Sequence, residues 1–95
     1  MTSYEMVQVV WHDAHAVNEW QSTSDISQEP CVISTVGFLI PSAKPNHVVV
    51  AQSIDPDGNL DGVLSIPEGM VVKVSVLSHD SLLTIPDRAI KTAPA

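Results

Sequence analysis

The sequence predicts an all-β fold: a small five-stranded, strongly bent antiparallel barrel in the SH3-like or Sm-like style. It also predicts a long loop over residues 12–30 and a C-terminal extension. Three observations lead there. Apolar residues make up 44% of the chain but aromatics only 4%, and much of the rest is Val and Ile, whose branched side chains suit a pleated sheet. Short β-rich runs recur between clusters of Pro, Gly, Asn and Asp. Gly37 interrupts one run and Pro67-Glu68-Gly69 breaks another, as expected where a small sheet curls. An open antiparallel sheet and a small sandwich are the alternatives.

Ninety-five residues allow one domain. The β-rich residues 1–77 form it, and residues 78–95 read as an extension, partly disordered. Tyr4 to Trp11 is the first strand, with Val7, Val9 and Trp11 on one face and Glu5 and Gln8 in the polar alternation. Residues 12–30 are rich in Ser, Asp, Glu and Gln. They read as a loop holding one helical turn near Ala14–Trp20, with Trp20 tucked back onto the domain. Such length points to a functional or mobile segment.

Cys31 to Ile40 is the second strand. Val32, Val36, Phe38 and Ile40 share one face and Cys31, Ile33 and Leu39 the other, with Gly37 as a bulge or sharp bend. Pro41 to Asn46 is turn chemistry. His47 to Ser53 and Val63 to Ile66 are the third and fourth strands. Pro67-Glu68-Gly69 makes a single tight turn of 3₁₀ type, and Val71 to Leu77 is the fifth strand with Lys73 and Ser75 facing out. In the extension, Leu83-Thr84-Ile85-Pro86-Asp87 echoes Leu64-Ser65-Ile66-Pro67-Glu68. One echo is too little for a repeat architecture, so Leu82, Leu83 and Ile85 are read as docking on this domain or a neighbour.

Charge and cysteine usage narrow the function classes. Four Lys and Arg against eleven Asp and Glu leave a net charge of −7, which disfavours direct binding of nucleic acid and of anionic membranes. The lone Cys31 fits a reducing cytoplasm. The first residues lack the basic and apolar regions of a signal peptide, and no apolar run nears the ~18–20 residues that span a bilayer. A cytoplasmic protein is expected.

Several pieces recur together in one set of sequences: Val10-Trp11-x-Asp13-Ala14, Glu29-Pro30-Cys31, Thr35-Val36-Gly37-Phe38-Leu39, Lys44-Pro45-Asn46-His47-Val48, Ala51-Gln52-Ser53 and Ile66-Pro67-x-x-Met70-Val71. The chain thereby resembles a family of small, mostly uncharacterised bacteriophage and prophage proteins over about Tyr4 to Leu77. The resemblance implies a viral or prophage origin and a place in the host-cell cytoplasm, and it carries over no catalytic residues.

The sharpest motif match is Asp57-Gly58-Asn59-Leu60-Asp61-Gly62 followed by Glu68. Asp57, Asn59, Asp61 and Glu68 have the spacing of a calcium-binding EF-hand loop. The β-rich flanks argue instead for an acidic hairpin turn, because an EF-hand needs helices on both sides and Pro67 opposes the exit helix. His12-Asp13-x-His15 could seed a metal site, but four ligands at structural-zinc spacing are missing. Cys31 has no activating neighbour in sequence, since Glu29 is anionic. Phosphate-cradling glycine loops, nucleophile elbows and paired-carboxylate motifs are likewise missing.

Trp11 and Trp20 bracket the polar loop. With His12 and Asp13 they are the expected ligand or partner contact; the plainer alternative has both indoles plugging the barrel end. The resulting expectation is a non-enzymatic binding or adaptor module, without cofactor, assembled as a homo-oligomer through its edge strands. Its partner would be a host protein, such as a defence component, or a small metabolite. The alternative is a calcium- or metal-binding protein using the 57–68 loop.

Overall fold

The structure is a computed structural model that describes residues 3–77; the 78–95 extension lies outside the described residues. Five strands form one antiparallel sheet: β1 (Met6–Asp13), β2 (Cys31–Leu39), β3 (His47–Ile54), β4 (Leu60–Pro67) and β5 (Val71–Val76). Two 3₁₀ turns, Thr23–Asp25 and Glu68–Met70, interrupt the connections. Hydrogen-bonded neighbours run β4-β3-β2-β1-β5, and the outer strands β4 and β5 do not pair with each other, so the sheet is not closed.

The order divides the sheet into two ladders. β1 pairs with β2 over eight residue pairs from Met6↔Phe38 to Asp13↔Cys31, and β5 lies on the other side of β1. β3 pairs with β4 from His47↔Pro67 to Ile54↔Leu60. Between the ladders, β2 and β3 share only Phe38↔Ala51 and Leu39↔Val50. The core shows what this narrow join permits. Val7 and Val9 of β1 form one buried cluster with Val50 of β3 and Ile66 of β4. In a flat sheet β1 and β4 would stand three strand spacings apart, roughly 14 Å, too far for these side chains to share a cluster. The sheet therefore bends sharply at β2–β3 and folds one ladder over the other.

Gly37 sits at that bend. Its ladder with β1 is continuous through Val7↔Gly37, so it is a bend and not a bulge. A Cβ there would lie 3.0 Å from the Ala51 carbonyl oxygen and 3.3 Å from the Val50 Cβ. The missing side chain is what lets β3 approach. The sheet's irregularity lies instead between β1 and β5, where the register shifts at Val10/Trp11 and lets Val71 reach the core.

Cross-strand partners share a face, so Val7, Val9 and Trp11 place Gly37, Thr35 and Ile33 of β2 toward the core. Val32 and Val36 lie on the other face and are 56% and 57% exposed. The expected one-turn break before β5 is present, displaced by one residue to Glu68–Met70. β4 is longer than its apolar run and begins at Leu60. Two expectations for the first loop are corrected. Its helical turn is at Thr23–Asp25 and not near Ala14–Trp20, and Trp20 is fully exposed instead of tucked onto the domain.

Candidate functional site

The expected contact set does not stay together. Trp11, at the far end of β1, is half-buried against the core cluster. Its Nε1–H donates to the Thr35 hydroxyl at 3.0 Å, so the indole nitrogen that partial burial would otherwise leave unmatched is satisfied. Trp11 thus packs as a wall of the core. His12 and Asp13 follow it into solvent; Asp13 accepts a hydrogen bond from the Ala14 N–H at 2.8 Å. Every residue from His12 to Pro30 is exposed. The hydrogen bonds of this segment stay local, as in Ser22 Oγ donating to Asp25 Oδ2 at 2.9 Å and the Glu29 N–H to Ser27 Oγ at 3.2 Å.

The 57–68 stretch is likewise taken apart. Asp57 and Asn59 sit in the turn between β3 and β4, while Glu68 opens the 3₁₀ turn after β4. The whole of β4 separates them, on the order of 25 Å of extended chain. Asp61 lies within β4, opposite Ser53. Among the described residues no three His, Cys, Asp or Glu side chains are grouped to hold a metal ion. His12, His15 and Cys31 form no such group, and Cys31 is a half-buried free thiol.

What organises the turn is a residue outside the motif, Asp55. The Asp55 carbonyl accepts from the Gly58 N–H at 3.0 Å, and its own N–H donates to the Asn59 carbonyl at 2.9 Å. Pro56, Asp57 and Gly58 therefore form a three-residue hairpin loop whose last position is left-handed, with Gly58 at φ 86°. The carboxylate braces it: Oδ1 accepts from the N–H groups of Asp57 and Asn59 at 3.0 and 2.8 Å, and Oδ2 from the Asn59 amide at 3.0 Å. These bonds favour the ionised form. The Asn59 side chain, then the Asn59 N–H, with smaller help from Asp57 and Gly58, hold the Asp55 carboxyl below its ordinary range.

This turn overhangs a cleft of about 680 Å³ lined by Ser3, Tyr4, Phe38, Ile54 and the residues from Asp55 to Gly58. Two aromatic rings, an isoleucine and Pro56 supply apolar walls, and the carboxylates of Asp55 and Asp57 supply negative charge. The β1–β2 pairing runs antiparallel, so the cleft lies at the Phe38 end of that ladder and Trp20 follows its Asp13 end. A smaller hollow of about 400 Å³ lies between the β2–β3 turn and Glu68. There His47 Nδ1 is 2.8 Å from the Pro45 carbonyl oxygen. The first cleft escaped the sequence reading because its walls come from three separate segments. Asp55 itself was legible, as the Asp of an Asp-Pro-Asp-Gly turn.

No family model matches the chain, and neither does any curated protein or solved structure. Among the described residues no helix is long and apolar enough to cross a membrane.

Proposed function

We propose that this chain is a non-enzymatic binding module that takes a basic, apolar-tipped segment of another protein into the Tyr4/Phe38 cleft. The observation that carries this reading is the cleft's make-up: aromatic and aliphatic walls for an apolar side chain, beside the carboxylates of Asp55 and Asp57. An apolar concavity with a few placed polar groups is the usual form of a binding site. The net charge of −7 favours a basic partner. Given the resemblance to phage and prophage proteins, the partner is a protein of the infected cell, a defence component being one candidate class. A small metabolite is the alternative occupant.

The sheet is, on this reading, the wall of a small SH3-like or Sm-like barrel. Support comes from the order β4-β3-β2-β1-β5, the sharp bend at Gly37 and the 3₁₀ turn that joins the two edge strands. A homo-oligomer built through an exposed edge follows from the same architecture; sedimentation as a strict monomer at all concentrations removes that part. The cleft is tested by titrating ¹⁵N-labelled full-length protein with a short Lys- and Leu-rich peptide. Amide shifts are expected at Tyr4, Phe38, Ile54 and Asp57, and weaker binding by Asp57→Lys. Saturating shifts that bypass these four residues, or none at millimolar peptide, overturn the reading. Trp20, fully exposed with Val17 and Ile26 half-exposed in the same segment, supports a second contact at the other end of β1. Shifts confined to residues 14–30 would favour it.

A further inference from the structure

The two carboxylates at the Tyr4/Phe38 cleft are not equivalent. Asp55 is turned onto its own hairpin, where Oδ1 accepts from the Asp57 and Asn59 N–H groups and Oδ2 from the Asn59 amide. A carboxylate offers about four acceptor positions, so most of those of Asp55 are taken. Asp57 takes part in this network only through its N–H, and its carboxylate has no hydrogen-bond partner among the described residues. Asp57 nonetheless lines the cleft. No lining residue is basic, and the described residues include only Lys44 and Lys73 as permanent cations, neither of them at the cleft.

The aromatic wall is set by the β1–β2 ladder. Met6 pairs with Phe38, and the Leu39 N–H donates to the Glu5 carbonyl at 2.8 Å, which carries the ladder one residue further. Strand alternation then places Tyr4 on the same side as Met6 and Phe38. Tyr4 is diagonal to Phe38, at roughly 7–8 Å, a separation that aromatic side chains reach across. Both residues are half-buried, so each ring is held against the protein and keeps part of its surface open.

We infer, building on the binding role proposed for this cleft, that the group it recognises is the guanidinium of an arginine in the partner segment, laid over the Tyr4 and Phe38 rings with its N–H edge donating to the Asp57 carboxylate. The chemistry of the walls selects this cation. A guanidinium is planar, so it stacks on an aromatic face and still presents a fork of donors to a carboxylate. A lysine ammonium is a compact, strongly hydrated point charge and cannot do both equally well. Ile54 and Pro56 are left for the aliphatic stem of the arginine and the apolar residue beside it. Asp55 is then a positioning residue, since its bonds to the Asp57 and Asn59 N–H groups fix the turn that carries Asp57. Asp57 is the residue that sets specificity.

The test is a titration of ¹⁵N-labelled full-length protein with a blocked tripeptide holding arginine between two leucines, and with its citrulline and lysine counterparts. Citrulline keeps the shape of arginine and removes the charge. The arginine peptide should shift Tyr4, Phe38, Ile54 and Asp57, the citrulline peptide should bind about tenfold more weakly and the lysine peptide about threefold more weakly. Asp57→Asn should bring arginine and citrulline close to parity, and Tyr4→Leu should do the same for arginine and lysine. Unchanged Val7 and Val9 amides show that either variant keeps its fold. Equal binding of the arginine and citrulline peptides overturns the inference and leaves the cleft as a binding site, as does equal or tighter binding of the lysine peptide. Arginine peptide that leaves the four cleft residues unshifted overturns both the inference and the binding role. Free N-acetyl-arginine methylamide binding as tightly as the tripeptide assigns the site to a small guanidinium compound and overturns the partner segment.

Discussion

The two ladders of this sheet are joined internally by connections of opposite character. Between β3 and β4 the chain reverses in three residues, and the Asp55 carboxylate alone accepts three hydrogen bonds there. Between β1 and β2 it wanders through residues 14–30, all exposed, with bonds that reach no further than a few residues. The difference teaches where register comes from. In β3–β4 the turn and the core agree, since Val50 and Leu64 pair directly and Ile66 is buried. In β1–β2 no turn dictates the pairing, so the eight-pair register rests on which side chains enter the core and on the Trp11–Thr35 bond. Local chemistry sets one ladder and burial sets the other.

The largest effect should come from the core on which both ladders depend. Ile66 is 1% exposed, and Ile66→Ala is expected to cost about 2–5 kcal/mol through lost burial and the cavity left behind. Val32→Ala, on the exposed face of β2, should stay within about 0.5 kcal/mol. Denaturant unfolding of the two variants measures the pair; equal losses would mean that the outer face of β2 is covered in solution. Next in size is the tight turn. Gly58 has φ 86° and open space around it, so Gly58→Val tests conformation without a clash. It should cost roughly 1–2 kcal/mol. A β-branched substitution at the exposed Ser22, with φ −80°, should cost far less.

These magnitudes explain what could be read in advance. The strands were legible because β-rich apolar runs bounded by turn residues, as in Cys31–Ile40 and His47–Ser53, and the polar alternation within Tyr4–Trp11 are local signals. The core side of β2 was not. Its buried face carries Thr35 and Gly37 and its exposed face Val32 and Val36, so counting apolar residues favours the wrong side. Thr35 is there to meet the Trp11 nitrogen and Gly37 to admit β3, and both reasons lie in other strands. The calcium-loop spacing matched without gathering ligands for a related cause, since a spacing pattern is blind to the strand that pulls Glu68 away from Asp57; the β-rich flanks were what pointed to a hairpin instead. The Tyr4/Phe38 cleft was not legible because three segments build it only after the sheet bends.

A smaller effect separates the connections by pH. Hydrogen bonds from Asn59, its side chain foremost, hold the folded-state pKa of Asp55 below its ordinary value. The stabilisation from this group is then complete above the unfolded pKa and is lost as pH falls through the folded one. Acidification below about pH 4 should loosen the β3–β4 turn. Asp55→Asn places an amide NH₂ against the Asn59 donor, so it should lower Tm at neutral pH and flatten the acid limb of the Tm profile. An unchanged acid limb in Asp55→Asn would show that other carboxylates dominate it.

The smallest effect should be at Trp20, and that smallness is informative. An indole is among the largest contributors to a core when buried, but this one is fully exposed in a segment whose bonds are all local. Trp20→Ala should therefore change stability by no more than about 0.5 kcal/mol. The same variant leaves Trp11 as the remaining indole, half-buried and bonded to Thr35, so fluorescence gives a second measurement. Removing the water-exposed emitter should move the emission maximum to shorter wavelength and reduce quenching by acrylamide. A loss above about 1 kcal/mol, together with a red shift, would show that Trp20 packs on the domain in solution and that the β1–β2 connection takes part in setting its own ladder. Unchanged stability with a blue shift leaves the ring free for a partner, and makes the contrast between the two connections one of purpose as well as of bonding.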